Sequence, residues 1–458
     1  MNSVFILSGL GIFSLLAEIF NIKRWLFPVV ILGLILSAVL MALDWNQATA
    51  YYSNMLTFDN YAVAFSVTLS LVAVLWFLMS KDYFENTTNI TDHFSLILFA
   101  LVGAIFMVSY SNLAMLFLGI EVLSISLYVL AGSNFQNVFS NEASFKYFLM
   151  GSFATGFLLF GIALIYGATA SFDLQIIASK VAEGTTTTTQ WLYAGILMLI
   201  IGLAFKISAV PFHFWAPDVY EGSPTVVTAF MSTIVKIAAF AGFYRLFSTC
   251  FSAVSNQWVD VIQVITILTL LVSNITAVYQ HSVKRILAYS SVAHAGYLLI
   301  SLVGLNDISS SAILYYVIAY AVASITAFTV LHNVEVEDEN AAVDSFNGLA
   351  KRNPYLAFCM GVALLSLAGI PPLAGFFAKY YIFTVAFQSG YIGLVLLAVL
   401  TSLIGIYYYF RIIIAMYLKS TEKGEIIQVP LRHTVILAIS VLASIIVGVF
   451  PDLLVGLI

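Results

Sequence analysis

The chain is a succession of apolar stretches, each about as long as a bilayer is thick, separated by short polar segments. A helix needs about 20 mostly apolar residues to cross the hydrocarbon core, and helices satisfy their own backbone groups there. The pattern therefore predicts an all-α polytopic membrane protein with about fourteen transmembrane helices. The predicted spans are residues 2–20, 25–43, 58–79, 93–109, 112–131, 142–168, 190–210, 224–248, 258–280, 283–303, 309–332, 355–387, 390–418 and 433–457.

Prolines interrupt this pattern at two places. Residues 211–223 are predicted as a short re-entrant or broken-helix segment, and the pair Pro371–Pro372 breaks the twelfth span. Because proline removes a backbone donor, carbonyls near Ile207 and Ala209 are expected to lose their helical partners. Such groups are tolerated at membrane depth only where protein or water satisfies them, so we expect a hydrated polar site beside the first break.

Composition agrees with a membrane protein and excludes several other classes. Of the 458 residues 62% are hydrophobic and 9% charged, the formal net charge is −5, and the mean hydropathy is +1.03. Neither a basic face for nucleic acid nor a folded extramembrane domain is predicted. The first 20 residues lack a basic n-region and a small-residue cleavage site, so we interpret them as the first retained span.

Cysteine and histidine spacing gives no sign of a redox centre. Cys250 and Cys359 are single and far apart, which argues against iron–sulfur ligation or a disulfide framework. The six histidines show no metal or haem spacing. We therefore expect no cofactor and no metal bound by this chain, and we interpret the cysteines as small buried hydrophobes.

Loop charges predict the orientation of the chain. Only Lys180 lies in a loop after an even-numbered span, and Arg245 lies near such an end. Ten of the 17 Lys and Arg residues lie in loops after odd-numbered spans: Lys23, Arg24, Lys81, Lys284, Arg285, Lys351, Arg352, Lys419, Lys423 and Arg432. By the positive-inside rule these loops are cytoplasmic, and both termini face the opposite side.

Three polar or aromatic runs are interpreted as ordinary connectors and packing. Residues 169–189 end in the tract Thr185 to Thr189, and residues 333–354 begin with the acidic run Glu335 to Glu339. Both runs are predicted to be solvated connectors. Tyr407 to Tyr409 are interpreted as packing or as part of an interfacial aromatic belt.

Matching spacings suggest an internal repeat. Glu121 and Lys206 are 85 residues apart, as are His294 and Lys379, and each lysine adjoins a proline break. Two five-helix units, the second inverted, would explain this pattern. The predicted division is an N-terminal three-helix part (1–80), a first repeat (93–248), an inverted second repeat (258–418) and a C-terminal helix (433–457) within a single membrane domain.

Four lysines in apolar surroundings are the strongest functional signal: Lys146, Lys206, Lys236 and Lys379. A charge at mid-membrane costs roughly 2.5–3.5 kcal/mol on insertion scales, so such residues usually mark ion or proton pathways. Glu121 is the predicted partner of Lys206, either as a switchable pair or as a static ion pair. Of the four, Lys146 is the strongest candidate for snorkelling to an interface, with a buried auxiliary site as the other interpretation.

The remaining candidates extend these sites into a relay. Thr228, Ser232 and Thr233 precede Lys236 and are predicted to hold water beside it. His294 is either a proton shuttle, since imidazole can accept on one nitrogen and release from the other, or a hydrogen-bonded packing residue. Lys379, after the second break, is predicted as the terminal site that loads and discharges.

Three long motifs resemble the antiporter-like subunits of respiratory complex I, the NADH–quinone oxidoreductase. They are KISAVPFHFWAPDVYEGSP from Lys206, KRILAYSSVAHAGYLL from Lys284 and GIPPLAGFFAKYYIF from Gly369. The resemblance covers essentially the whole chain. PFHFWAPDVYEGSP and Lys379 are similar to the N-type branch of bacterial or plastid origin.

The resemblance implies a role for each candidate. Glu121, Lys206, Lys236 and Lys379 match the family's key carboxylate and lysines, Lys146 an auxiliary lysine, and His294 the histidine motif. It further implies proton transfer across the cell inner membrane, or a thylakoid membrane, driven by quinone reduction. NADH, FMN, iron–sulfur clusters and quinone are then expected in partner subunits, and other complex I membrane subunits as neighbours. Uptake is expected near Glu121, Lys206 and Lys236, lateral transfer past His294, and exit from Lys379.

Two alternatives remain open at this point. An Mrp-type cation/proton antiporter subunit would use the same buried charges without redox coupling. A membrane scaffold would use them only to hold helices together.

Overall fold

The computed structural model describes residues 2–85, 89–184, 189–338, 340–420 and 426–458. Two strands, β1 (Thr49–Tyr51) and β2 (Leu56–Phe58), form an antiparallel hairpin between the second and third helices. The helices in these ranges are α1 (Asn2–Ile19), α2 (Lys23–Leu43), α3 (Asn60–Glu85), α4 (Ile90–Ser109), α5 (Leu113–Ala131), α6 (Val138–Thr169), α7 (Leu174–Ala182), α8 (Thr189–Lys206), α9 (Trp215–Gly222), α10 (Thr225–Cys250), α11 (Val259–Val278), α12 (Val283–Val303), α13 (Ser309–Asp338), α14 (Leu349–Arg352), α15 (Pro354–Ala368), α16 (Ala374–Gln388), α17 (Ile392–Leu418), α18 (Leu431–Val449) and α19 (Asp452–Val455). Short 3-10 helices occupy Ser252–Gln257 and Val343–Phe346.

The predicted all-α membrane fold is confirmed. Within the described ranges, thirteen helices are long and apolar enough to cross a membrane. The predicted span 355–387 is instead the pair α15 and α16, which are separated at residues 369–373. This broken pair supplies the remaining crossing.

The membrane helices differ in how much of their surface neighbouring helices cover. The apolar segments of α10 and α12 are completely buried, whereas only a third of each apolar segment of α2, α6 and α17 is buried. A helix that is apolar all round either lies in the interior or faces lipid. α10 and α12 are therefore central, and polar side chains on them lie in protein rather than in lipid.

Both proline segments interrupt a helix as predicted. α8 ends at Lys206 and the chain resumes as α9, while α15 ends before Gly369, whose φ of 85° is left-handed. The Val210–Pro211 and Pro371–Pro372 peptide bonds are cis.

At the first break, protein groups satisfy backbone atoms that the helix leaves unpaired. The Trp215 indole donates to the Phe205 carbonyl (3.1 Å), and the Val210 amide donates to Thr269 Oγ1 (2.9 Å). The Ala209 carbonyl, which we expected to lack a partner, accepts from the Phe212 amide (2.7 Å). That expectation was wrong because the chain turns tightly enough after the break to supply a local donor.

The helix contacts repeat along the chain. In the first half α4 packs on α5, α5 on α6, and α6 on α8; in the second half α11 packs on α12, α12 on α13, and α13 on α15. The closing helix of each set returns to its first helix, α10 to α4 and α17 to α11. Because each set crosses the membrane five times, the second begins on the opposite side, which gives an inverted pair. The residue boundaries of the four-part division stay a prediction.

The two predicted connectors contain more structure than the sequence suggested. The loop 169–189 holds α7, which buries Leu174, Ile177 and Val181. Glu335 and Asp338 belong to α13, where Glu335 pairs with Lys284, and Asp338 is nearly buried against Arg352. The prediction of solvated residues was therefore wrong for Asp338 and incomplete for Glu335, which is 30% exposed but paired, because basic side chains elsewhere in the chain reach both carboxylates. Thr185 to Thr188 and Glu339 lie outside the described residues.

Candidate functional site

Lys236 lies in the middle of the buried helix α10 and reaches across to α12. Its side chain is nearly inaccessible, with 3% of the residue exposed. The ammonium donates to the backbone carbonyl of Ser291 and to Ser291 Oγ (2.6 Å), and it lies 5.3 Å from the centre of the Tyr320 ring. Hydroxyl, carbonyl and aromatic groups thus replace water around this cation.

His294 occupies the next turn of α12 and is held by tyrosines on both sides. Its Nδ1 lies 2.7 Å from the Tyr316 hydroxyl and its Nε2 lies 3.2 Å from the Tyr409 hydroxyl. The Tyr409 hydroxyl also bonds to Ser290 Oγ. With both nitrogens hydrogen-bonded to groups that can donate or accept, the ring can take a proton at one nitrogen and release it at the other.

Lys379 lies just beyond the second break and turns back toward it. Its ammonium donates to the Ala368 carbonyl at the end of α15 (2.8 Å) and to Ser402 Oγ (2.7 Å). A helix C-terminus carries partial negative charge, so α15 stabilises this cation. Gly369 is required here, because a Cβ would lie 2.9 Å from Lys379 Cδ and the backbone is left-handed.

Aromatic rings connect His294 to both lysines. The Tyr320 ring contacts the His294 ring (4.8 Å between centres) and also faces Lys236. Toward the other side, the Tyr297 ring lies 5.9 Å from the His294 ring, and the Lys379 ammonium is 4.9 Å from the Tyr297 ring centre. The structure therefore brings together three predicted residues in the order Lys236, His294, Lys379.

Lys206 forms a separate site at the end of α8. Its ammonium donates to Ser124 Oγ on α5 (2.7 Å), one turn from Glu121 on the same helix. Among the described residues Lys206 and Glu121 form no ion pair, although Glu121 lies one turn from the Ser124 hydroxyl that Lys206 contacts. Glu121 Oε1 is buried and has no hydrogen-bond partner among the described residues. The predicted pair is thus two neighbours joined through the Ser124 turn rather than a direct ion pair.

Lys146 lies apart from these sites. Its ammonium is 2.7 Å from Glu142 Oε1 and 2.9 Å from Asp218 Oδ2, and 39% of its side chain is exposed. The position agrees with the snorkelling interpretation rather than with a mid-membrane site.

Sequence reasoning missed most of the hydroxyl partners. Tyr409 was interpreted as packing or interface, yet Tyr408 and Tyr409 are buried and only Tyr407 is exposed. Ser124 gave one usable signal, because it lies three residues after Glu121 and therefore on the same helix face. The tyrosines on α13 and α17 gave none, since only tertiary packing brings them to His294.

The described residues hold no group of three or more His, Cys, Asp or Glu side chains that fits a metal ion. Cys250 and Cys359 are both buried and free. What the site offers chemically is a set of groups that bind and release protons.

Fourteen crossings, two broken helices and buried lysines beside the breaks define a polytopic membrane protein of the ion-transporter class. Residues 110–405 match the family described as "NADH:quinone oxidoreductase/Mrp antiporter, TM". The chain belongs to this family.

Comparison with individual proteins gives the same placement. The chain is 44% identical to NADH-quinone oxidoreductase subunit N of Flavobacterium psychrophilum, with 100% of both chains covered. Among solved structures it resembles a chain of respiratory complex I from Thermus thermophilus with bound aureothin, at 30% identity and a TM-score of 0.85, covering 99% of this chain and 98% of that one. A chain of the Mrp complex from Dietzia sp. shares the fold, with 19% identity, a TM-score of 0.89 and coverage of 99% and 95%.

Proposed function

We propose that this chain is a proton-translocating membrane subunit of NADH–quinone oxidoreductase. The proposal rests on three buried residues, Lys236, His294 and Lys379, which hydroxyl groups and aromatic rings connect into a line. Full-length similarity to a subunit N supports the enzyme complex over an Mrp-type antiporter, for which the likeness is one of fold alone. NADH, FMN, iron–sulfur clusters and quinone then belong to partner subunits.

The proposed mechanism moves a proton between sites by changing which of them is charged. A proton taken up on Lys236 passes to His294, whose two hydrogen-bonded nitrogens allow uptake on one side and release on the other. Lys379 receives it and discharges it toward the outer side. Because one charged lysine disfavours charge on its neighbours, the sites load in turn rather than together.

Glu121 and Lys206 act in this proposal as the coupling site. Glu121 keeps a buried carboxylate oxygen without a partner, and Lys206 is held only one helical turn away. Forming or breaking an ion pair between Glu121 and Lys206 changes the electrostatic potential at the lysine and histidine sites of the relay. Quinone reduction in partner subunits supplies the work. The chain acts in the cell inner membrane with both termini on the outer side.

Replacement of Lys206 tests this function. Lys206→Ala in the assembled complex should abolish most NADH-driven proton translocation, because the coupling site loses its cation. The measurement is acidification of inverted membrane vesicles, with subunit content checked by copurification in mild detergent. Lys81→Ala is the matched control, since Lys81 pairs with Glu85 near the surface (3.2 Å).

Full translocation in an assembled Lys206→Ala complex would contradict the mechanism. Recovery of the chain with small antiporter subunits, and without iron–sulfur proteins, would instead support the Mrp-type alternative.

A further inference from the structure

We propose that protons reach Lys236 from a cavity at the α6–α9–α12–α13 end of the protein, through Glu335 and a column of hydroxyls on α10. The inference rests on the proposed function and adds the uptake route. From the sequence we expected uptake near Glu121, Lys206 and Lys236, whereas this route reaches Lys236 without passing Glu121 or Lys206.

The first observation is that Lys206 and Lys236 have different hydrogen-bond partners. Among the described residues, no hydrogen bond or ion pair joins Lys206 or Glu121 to Lys236. Lys206 bonds to Ser124 on α5, whereas Lys236 bonds to Ser291 on α12. The two lysines therefore belong to separate hydrogen-bonded groups in this arrangement.

The second observation is a cavity of about 630 Å³ that opens beside the ends of α12 and α13. It lies among the loops that follow odd-numbered spans, the side predicted to be cytoplasmic. Charged side chains line it: Glu142, Lys146, Asp218, Glu221, Lys284, Arg285 and Glu335. A polar cavity of this size holds water, so it brings bulk protons to its lining carboxylates.

Glu335 is the lining carboxylate that joins the cavity to the interior. Its side chain is 30% exposed, and it pairs with Lys284, which is only 4% exposed and donates to the Ser223 carbonyl (2.7 Å). On its inner side Glu335 accepts a hydrogen bond from the hydroxyl of Thr225, at the start of α10. Glu221, another carboxylate on the cavity, is more exposed (41%) and pairs with Arg285 (2.6 Å).

From Thr225 a buried polar column leads to Lys236. One face of α10 carries four polar side chains at intervals of three or four residues: Thr225, Thr228, Ser232 and Lys236. All four are at least nine-tenths buried. Residues at this spacing have Cβ atoms about 5–6 Å apart, a gap that one water molecule between two hydroxyls can bridge.

Groups from other helices extend the column at each step. Thr228 Oγ1 donates to the Tyr220 carbonyl (2.8 Å), and Ser232 Oγ bonds to the Tyr320 hydroxyl (2.7 Å). Tyr320 in turn faces both Lys236 and His294. Thr233, three residues before Lys236, donates to its own helix at the Ala229 carbonyl (2.7 Å), so it adds no group from another helix.

The proton transfer balances along this path. Water in the cavity protonates the Glu335 carboxylate, and the resulting carboxyl donates to Thr225, reversing the bond seen here. Each hydroxyl accepts one proton and passes its own onward, which a hydroxyl can do because it is both donor and acceptor. The neutral amine of Lys236 becomes an ammonium, and Glu335 returns to a carboxylate.

Substitutions along the column test the route. Glu335→Gln and Thr225→Val keep side-chain volume but remove the exchangeable proton, so each should slow NADH-driven acidification of inverted vesicles about tenfold, equivalent to ~1.4 kcal/mol of activation free energy. Thr225→Ser, which keeps the hydroxyl, should restore the rate. Glu221→Gln and Thr266→Val are the matched controls and should leave it unchanged, since Thr266 is a buried α11 threonine that bonds to its own helix at Ile262 (2.7 Å).

Full acidification rates in assembled Glu335→Gln and Thr225→Val complexes would overturn the route. If Glu335→Gln fails to assemble, the isosteric Thr225→Val variant decides. Lys206→Ala, measured alongside, separates the two proposals. If Lys206→Ala does not pump but the column variants pump normally, the proposed function stands and only this uptake route is rejected. A loss equal in Thr266→Val and Thr225→Val would show a packing effect and would likewise reject it.

Discussion

At the scale of single residues, the three buried lysines of the candidate site, Lys206, Lys236 and Lys379, are satisfied by hydroxyls and carbonyls rather than by carboxylates. Ser124, Ser291 and Ser402 each accept a hydrogen bond from a lysine ammonium. A direct carboxylate partner would fix the charge of the lysine, because breaking a buried pair leaves an uncompensated ion. Neutral partners stabilise the ammonium less strongly, so protonation and deprotonation are both accessible. This choice of partner suits a site that must exchange protons.

Tyr409 provides a prediction at this scale. Tyr409→Phe removes the hydroxyl shared by His294 and Ser290, so one imidazole nitrogen loses its partner and proton translocation should fall about tenfold, since a hydrogen bond of this kind contributes ~1.5 kcal/mol. Acidification of inverted vesicles measures it. Tyr407→Phe, two positions earlier and 59% exposed, should behave as the unmodified chain. Equal activity of the two variants would remove Tyr409 from the relay.

At the scale of elements, close helix crossings fix where the lysines lie. α6 and α8 meet at Gly161 and Gly195, where a Cβ on Gly161 would lie 2.9 Å from the Gly195 carbonyl oxygen. Small residues at membrane helix crossings allow backbones to approach. α8 carries Lys206 at its last residue, so this crossing determines the position of that site relative to α5.

Gly161 can be tested against a second glycine on the same helix. Gly161→Val forces α6 and α8 apart and should lower the stability of the chain by about 1–3 kcal/mol, the usual effect of overpacking. At Gly156 a Cβ would meet nothing within 4 Å, so Gly156→Val should be neutral. Thermal denaturation of the purified complex in mild detergent compares the two. Equal thermal stability of both variants would show that the crossing tolerates separation.

At the scale of the whole molecule, the distribution of charge defines two sides. The cavity lined by Lys284, Arg285 and Glu335 lies on the side where most basic loops lie. The positive-inside rule predicts that these loops are cytoplasmic, so we expect this cavity to open to the cytoplasm. The proposed uptake end and the proposed exit beyond Lys379 then face opposite compartments, as outward pumping requires.

Cysteine labelling checks this orientation. Gln136 lies between α5 and α6, and Gln257 between α10 and α11; both are exposed. A membrane-impermeant maleimide should label Gln136→Cys only in inverted vesicles and Gln257→Cys only in right-side-out vesicles. Cys250 and Cys359 are each 1% exposed and should give no background. The reverse labelling pattern would invert the proposed direction of pumping.

The sequence by itself determined the fold class, the two helix breaks and three of the buried lysines, Lys206, Lys236 and Lys379. These follow from local physics: apolar length decides what spans a bilayer, proline interrupts a helix wherever it stands, and a lysine in an apolar run is recognisable without its neighbours. Glu121 and Lys206 were likewise found close together, although not as the direct pair that was expected.

Tertiary structure alone decided which groups touch. Tyr320 and Tyr409 reach His294 from α13 and α17, and Glu335, interpreted as a solvated residue, reaches Lys284 and Thr225 instead. Contacts between helices far apart in sequence depend on crossing angle and helix rotation, which apolar membrane segments encode only weakly. The hydrophobic pattern is nearly uniform around such helices, so no periodicity marks the face that turns inward.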